Sequence, residues 1–129
     1  MSRTALDLSS DELKQYDPRE AIRRRKSTEK VELSKRRRRA MLTARKAAVL
    51  LRSEFDAKEV FVFGSLARRG YFTPWSDIDI AARGIPPFRF FEAVGVITGI
   101  SSEFKLDLVD LETCPGSLRE AVKTEGKSI

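Results

Sequence analysis

From Pro18 to about Phe55 the chain contains no further proline and no glycine. So long a stretch without a breaker can continue as helix throughout, and few other local structures suit it. Asp17-Pro18-Arg19-Glu20 supplies the start: Asp17 as N-cap, Pro18 at the first helical position and Glu20 reaching back towards the cap. Ser27-Thr28 is the place where such a helix would break. Ser9 and Glu12 have capping-box spacing for a shorter segment upstream. Met41, Ala44, Ala48, Leu51 and Phe55 recur every three or four residues, one apolar stripe able to pack on the C-terminal half of the chain. Ala21 to Arg39 has few apolar residues and reads as exposed to solvent or to a partner.

After Lys58 the period changes from helical to alternating. Val60-Phe61-Val62-Phe63 is β-branched and aromatic and stops at Gly64-Ser65, a strand running into a turn. Leu66-Ala67-Arg68-Arg69 can form a first helical turn beyond it. Ser76 to Ala82 alternates polar and apolar and predicts a second strand. Pro87 to about Ile100 predicts a helix with Phe88, Phe91, Val94 and Val96 as its apolar residues. Lys105 to Leu111 predicts a third strand, and Ser117 to Lys123 a closing helix ended by Gly126. The expected order is α-β-α-β-α-β-α around a sheet of three strands or slightly more.

The 129 residues, 41% of them apolar, suffice for one ordinary domain with a single core. No apolar run approaches the ~20 residues of a membrane span. Arg23 to Lys26 lie where a signal peptide would need its apolar core, so a cytoplasmic protein is expected. The single cysteine, Cys114, excludes an internal disulfide and a cysteine metal site. There is no histidine, which removes Ser-His-Asp and Cys-His chemistry and every histidine-ligated metal. A metal here must be held by carboxylates, which suits a hard cation such as Mg²⁺.

Charge divides the chain. Residues 1–52 carry a net +9 and residues 53–129 a net −3. Arg23-Arg24-Arg25-Lys26 and Lys35 to Arg39 are basic clusters on expected helix, almost without aromatics to stack on bases. They read first as a solvated face and second as a contact for RNA or an acidic protein.

Three places carry candidate chemistry. Gly64-Ser65 follows a strand, where a glycine admits a ligand close to the backbone and a hydroxyl adds a phosphate contact. Asp77 and Asp79 flank Ile78, so period-two geometry puts both carboxylates on one face and Ile78 and Ile80 on the other. Two carboxylates so close repel unless a cation lies between them. Asp107 stands between Leu106 and Leu108, where a charge is costly without a partner or a metal. Asp110 has the opposite parity and reads as a strand-end carboxylate; spacing alone does not choose between the two.

Phe63-Gly64-Ser65-Leu66-Ala67-Arg68-Arg69-Gly70 followed by Ser76-Asp77-Ile78-Asp79-Ile80 resembles the signature of the DNA polymerase β-like nucleotidyltransferases, specifically their minimal (MNT) group. Lys105-Leu106-Asp107-Leu108-Val109 is similar to the strand of the third carboxylate, and Leu118 to Gly126 to the closing helix. The resemblance covers about residues 48–129 and selects Asp107 over Asp110. Eleven residues, Leu66 to Ser76, separate Ser65 from Asp77 where the family usually has ten, an insertion that a loop tolerates.

The resemblance implies an α/β (α+β) domain, a small mixed sheet flanked by helices at 48–129, preceded by a basic helical segment at 1–47. It implies catalysis with two Mg²⁺ ions and ATP as donor. Asp77 and Asp79 would hold one ion, and with Asp107 the second; Asp107 would take the acceptor proton. Gly64, Ser65 and Arg68 would contact the nucleotide, with Arg69 able to replace Arg68. Minimal nucleotidyltransferases pair with HEPN-type toxins, and some attach AMP to a toxin tyrosine as antitoxins, which is the activity and partner expected here. The alternatives are an aminoglycoside-like small-molecule nucleotidyltransferase, which normally carries an extra C-terminal helical domain, and a non-catalytic RNA- or protein-binding module.

Overall fold

The computed structural model describes residues 17–129; the expected segment at Ser9–Glu12 lies outside them. Two compact units divide the chain, Met1–Glu32 and Leu33–Ile129. A helix, α1 (Pro18–Phe55), begins where expected. Asp17 accepts the Arg19 backbone N–H at 2.9 Å, a side-chain N-cap. Glu20 does not reach back; it pairs with Arg24 one turn on, at 3.5 Å. Ser27-Thr28 does not break the helix, and the Thr28 hydroxyl is accommodated by bonding the Arg24 carbonyl one turn back.

Within Leu33–Ile129, α1 ends at Phe55. Asp56 takes a left-handed conformation (φ 60°), which ends the helix, and the Ala57 N–H returns to the Leu51 carbonyl at 3.0 Å. Strands β1 (Glu59–Phe63), β2 (Ile78–Arg83), β3 (Leu106–Asp110) and β4 (Lys127–Ser128) form one mixed sheet in the order β3-β2-β1-β4. β1 is antiparallel to β2 and to β4, whereas β2 and β3 are parallel. The crossover from β2 to β3 contains α2 (Phe90–Thr98), and α3 (Gly116–Glu125) precedes β4. This is the α+β class expected.

Strand parity divides the sheet between two cores. Val60, Val62, Ile78, Ile80 and Leu106, all fully buried, join Ala40, Ala44, Ala47, Ala48, Leu51 and Phe55 of α1 with Ala93 and Ile97 of α2. Four alanines of the stripe, Ala40, Ala44, Ala47 and Ala48, are buried in this core. The opposite parity, Phe61, Phe63, Ala81 and Val109, meets Leu111 and Val122 of the α3 side in a smaller cluster.

Two expectations need correction, at the turn after Gly64-Ser65 and at the start of the second helix, and the structure adds detail at two other places. No α-helix follows Gly64-Ser65; only a 3-10 turn over Gly64–Leu66 forms. The four strands agree with the three or slightly more expected; the added one, β4, is two residues long and is held by pairing with β1 and by the Ile129 N–H on the Val60 carbonyl. Pro87–Arg89 is a 3-10 turn, and α2 proper begins at Phe90. Consequently Ala93 and Ile97 face the core, while Phe88 and Phe91 are 86% and 88% exposed and Val96 also faces solvent.

The basic run ahead of the apolar stripe is also less solvated than expected. Arg36 lies over the Phe104 ring at 4.6 Å and near the Phe72 ring, with Glu103 at 3.8 Å. Arg39 bonds Glu103 at 2.8 Å. Guanidinium planes stack on aromatic rings while their stems cover apolar surface.

Candidate active site

β1 delivers its chain into the site. Phe63 is still extended, and Gly64 turns to φ 66°, a conformation that an L side chain adopts at a cost. The reason for glycine is double: a Cβ at Gly64 would collide with the Asp79 Oδ2. The carboxylate of β2 therefore lies directly against the turn backbone. Ala67 N–H closes the turn on the Gly64 carbonyl at 3.2 Å, leaving Ser65 half-buried at its centre.

β2 begins at Ile78, one residue after Asp77, and the Ile78 N–H is tied to the Lys105 carbonyl at 2.9 Å. Ile78 and Ile80 point into the main core, so Asp79 takes the other face, opposite Phe63 on β1. On β3, Asp107 is the register partner of Asp79. The parallel pairing thus brings together two aspartates 28 positions apart in sequence. Asp110 pairs with Ala82, on the main-core parity, and its Oδ1 accepts the Glu112 N–H at 2.9 Å, a local turn bond. Its reading as a strand-end carboxylate matches this geometry.

Burial, then the charges of Asp107 and Asp77, push the Asp79 carboxyl above the ordinary carboxylate range, with Lys105 opposing them. Asp107 and Asp77 thus act on Asp79 as like charges. Among the described residues no three His, Cys, Asp or Glu side chains close into a ready-made metal cage. Mg²⁺ is ordinarily held by one or two carboxylates while water and substrate phosphates complete its shell. A donor set of hard oxygens, crowded around Asp79 and open to solvent, fits that manner of binding.

Arg68 is placed differently from a free phosphate ligand. Its guanidinium lies 3.8 Å over the Tyr71 ring, and its Nε is 3.8 Å from Glu125 at the end of α3. Arg69 is exposed. Two residues of the neighbourhood were not singled out by sequence: Lys105, the cation opposing the carboxylates, and Arg37, whose Nη2 donates to the Leu66 carbonyl at 3.1 Å and ties α1 to the turn. Helical spacing carried a signal for Arg37, which lies three and seven residues before the buried Ala40 and Ala44.

The fold recurs in solved structures. The chain is similar to one in a crystal structure of a toxin–antitoxin complex with AMP-PNP, at 28% identity and TM-score 0.55, covering 66% of this chain and 70% of that one. It is similar to a chain of the MntA–HepT toxin–antitoxin complex, at 26% identity and TM-score 0.51, over 68% and 69% of the two chains. A third relative is in the complex of the tri-AMPylated HEPN toxin of Shewanella oneidensis with its MNT antitoxin, at 26% identity and TM-score 0.52, over 69% and 70%. No curated protein matches the sequence. The family described as "Polymerase beta, Nucleotidyltransferase" matches residues 45–129, two thirds of the chain, a range that contains Asp77, Asp79, Asp107 and the Gly64-Ser65 turn. The chain belongs to the polymerase β-type nucleotidyltransferases.

Proposed function

We propose that this nucleotidyltransferase moves AMP from Mg-ATP to a tyrosine hydroxyl of a HEPN-type toxin, acting as its antitoxin. The observation that carries the chemistry is Asp79, lying against the Gly64 backbone and crowded by Asp107 and Asp77. A carboxylate so disfavoured is relieved by a cation, and the glycine turn lets the backbone and that carboxylate come together at one place. The choice of donor, acceptor and partner is supported by the neighbours: one toxin–antitoxin complex holds AMP-PNP, and another contains an AMPylated HEPN toxin.

Asp77, Asp79 and Asp107 would hold Mg²⁺. The ions, when bound, supply charge stabilisation to the phosphoryl oxygens. Gly64 N–H and the Ser65 hydroxyl orient the triphosphate, and Asp107 accepts the proton of the attacking hydroxyl. A phenol suits this base, since its pKa near 10 makes it easier to deprotonate than an aliphatic alcohol. Tyrosine oxygen attacks the α-phosphorus, the bond to the β-phosphate oxygen breaks, and pyrophosphate leaves. Residues 48–129 form the catalytic part, and the basic segment 1–47 serves to dock the partner. Arg68, held by Tyr71 and Glu125, reaches the nucleotide only by exchanging those contacts.

Intact-mass spectrometry of a HEPN-type protein co-expressed with this chain tests the proposal. An increment of one or more AMP units is expected, absent with the Asp77→Asn/Asp79→Asn variant. No increment with the unaltered chain, or an equal one with the variant, rules it out.

A further inference from the structure

The loop between the Gly64–Leu66 turn and Asp77 carries the chain's single tryptophan, Trp75, and leaves it 85% exposed. Tryptophan is seldom so open, because its ring is the largest apolar surface a side chain offers. The loop is nonetheless well built. The Thr73 N–H donates to Ser76 Oγ at 2.8 Å, and the two hydroxyls lie 3.0 Å apart. The Trp75 N–H donates to Thr73 Oγ1 at 3.2 Å, and the Ser76 N–H to the Thr73 carbonyl at 3.2 Å. Pro74 stiffens the same turn. Phe72 anchors its base in the core. A turn closed on itself therefore holds an indole outward, two residues from Asp77, within about 7 Å along the chain.

We propose that Trp75 is the anchor by which the acceptor protein docks beside the carboxylates, an inference that rests on the protein-acceptor reading above. A small ligand is the weaker fit. Among the described residues nothing covers the ring; Phe72, the nearest aromatic along the loop, is buried in the core, and Tyr71 is already stacked under Arg68. A nucleobase would gain one open face and no second wall. A projecting, preorganised tryptophan instead matches the residue that fills a pocket on a protein partner and dominates the interface. Its place ahead of Asp77 brings the partner's surface to the site where its hydroxyl must arrive, which is positioning and not chemistry.

The single tryptophan also provides the probe. The full chain, labelled with 5-fluorotryptophan, should give one ¹⁹F resonance that Mg-ATP leaves in place and the HEPN-type protein shifts. Trp75→Ala should raise the KM for that protein by about 30-fold, with the KM for ATP changed by less than about 2-fold, the scatter expected of a surface substitution. Trp75→Phe should recover part of the loss. A resonance shift with Mg-ATP alone, with a raised KM for ATP in Trp75→Ala, would make the indole a base-stacking platform and overturn the proposal. Unchanged KM for the acceptor in Trp75→Ala would overturn it while leaving the acceptor reading intact. Failure of the unaltered chain to modify the protein at all would remove both.

Discussion

At Asp79 burial and two neighbouring carboxylates act in the same direction, against the ionised form. Its folded pKa is raised above the ordinary 3.8, so between that value and the raised one the native state binds more protons than the unfolded chain. Stability therefore falls as pH rises through this window, and the whole penalty persists at neutral pH. Asp79→Asn should remove it. Thermal unfolding in EDTA should give a Tm at pH 7 equal to or slightly above that of the unaltered chain, the gain being small because the group is half in solvent. This part of the pH dependence should vanish in the variant, and transfer activity should drop by ~100-fold or more. A lower Tm would mean that the carboxylate is compensated in a way this geometry does not contain. Gly64 shows the complementary constraint. Gly64→Ala should cost about 1–2 kcal/mol for its left-handed backbone and also displace the Asp79 carboxylate. Chemical denaturation and nucleotide titration together check it, and an unaltered ATP affinity would contradict the close approach.

Among elements, β3 decides which carboxylate joins the site. Asp107 and Asp110 differ in parity, and the parallel register sets Asp107 beside Asp79 and Asp110 beside Ala82. Asp107→Ala should abolish transfer with little loss of stability. Asp110→Ala should retain most activity and lose about 1 kcal/mol with its bond to the Glu112 N–H. Single-turnover rates under saturating Mg-ATP distinguish the two, and equal losses would refute the division of roles. α1 also acts at this scale, since Arg37 secures the Leu66 carbonyl and couples the long helix to the turn.

For the whole molecule, the separation of charge is the property to test. The +9 of residues 1–52 opposes the −3 of the remainder, and the proposed chemistry lies entirely in the latter. Removing residues 1–26 should leave nucleotide affinity unchanged and weaken modification of the HEPN-type protein. The residual salt dependence of that reaction should also be smaller, because fewer cations then steer the encounter. Modification at the full rate by the truncated chain would assign the basic segment another role. Among the described residues no helix is long and apolar enough to cross a membrane.

Local periodicity was sufficient for several of these features. Asp17-Pro18 and the absence of glycine or further proline specified α1, and parity alone sent Ile78 and Ile80 inward and Asp79 outward. The lack of histidine limited any metal to oxygen ligands. These properties depend on neighbours within a turn or a strand, which is the range over which a sequence pattern carries information. The meeting of Asp79 with Asp107 is different, because it requires the register of two strands joined by a crossover. The resemblance selected Asp107, but spacing could not. β4 exists only because β1 has an edge to pair with, and its two residues show no period of their own. Phe88 and Phe91 read as apolar residues of a helix and lie in solvent, since hydrophobicity marks a burial preference while the placement of α2 decided that Ala93 and Ile97 would be buried. Arg36 and Arg37 read as solvated charge and are held against Phe104 and Leu66, because only the packed chain brings rings and carbonyls within their reach.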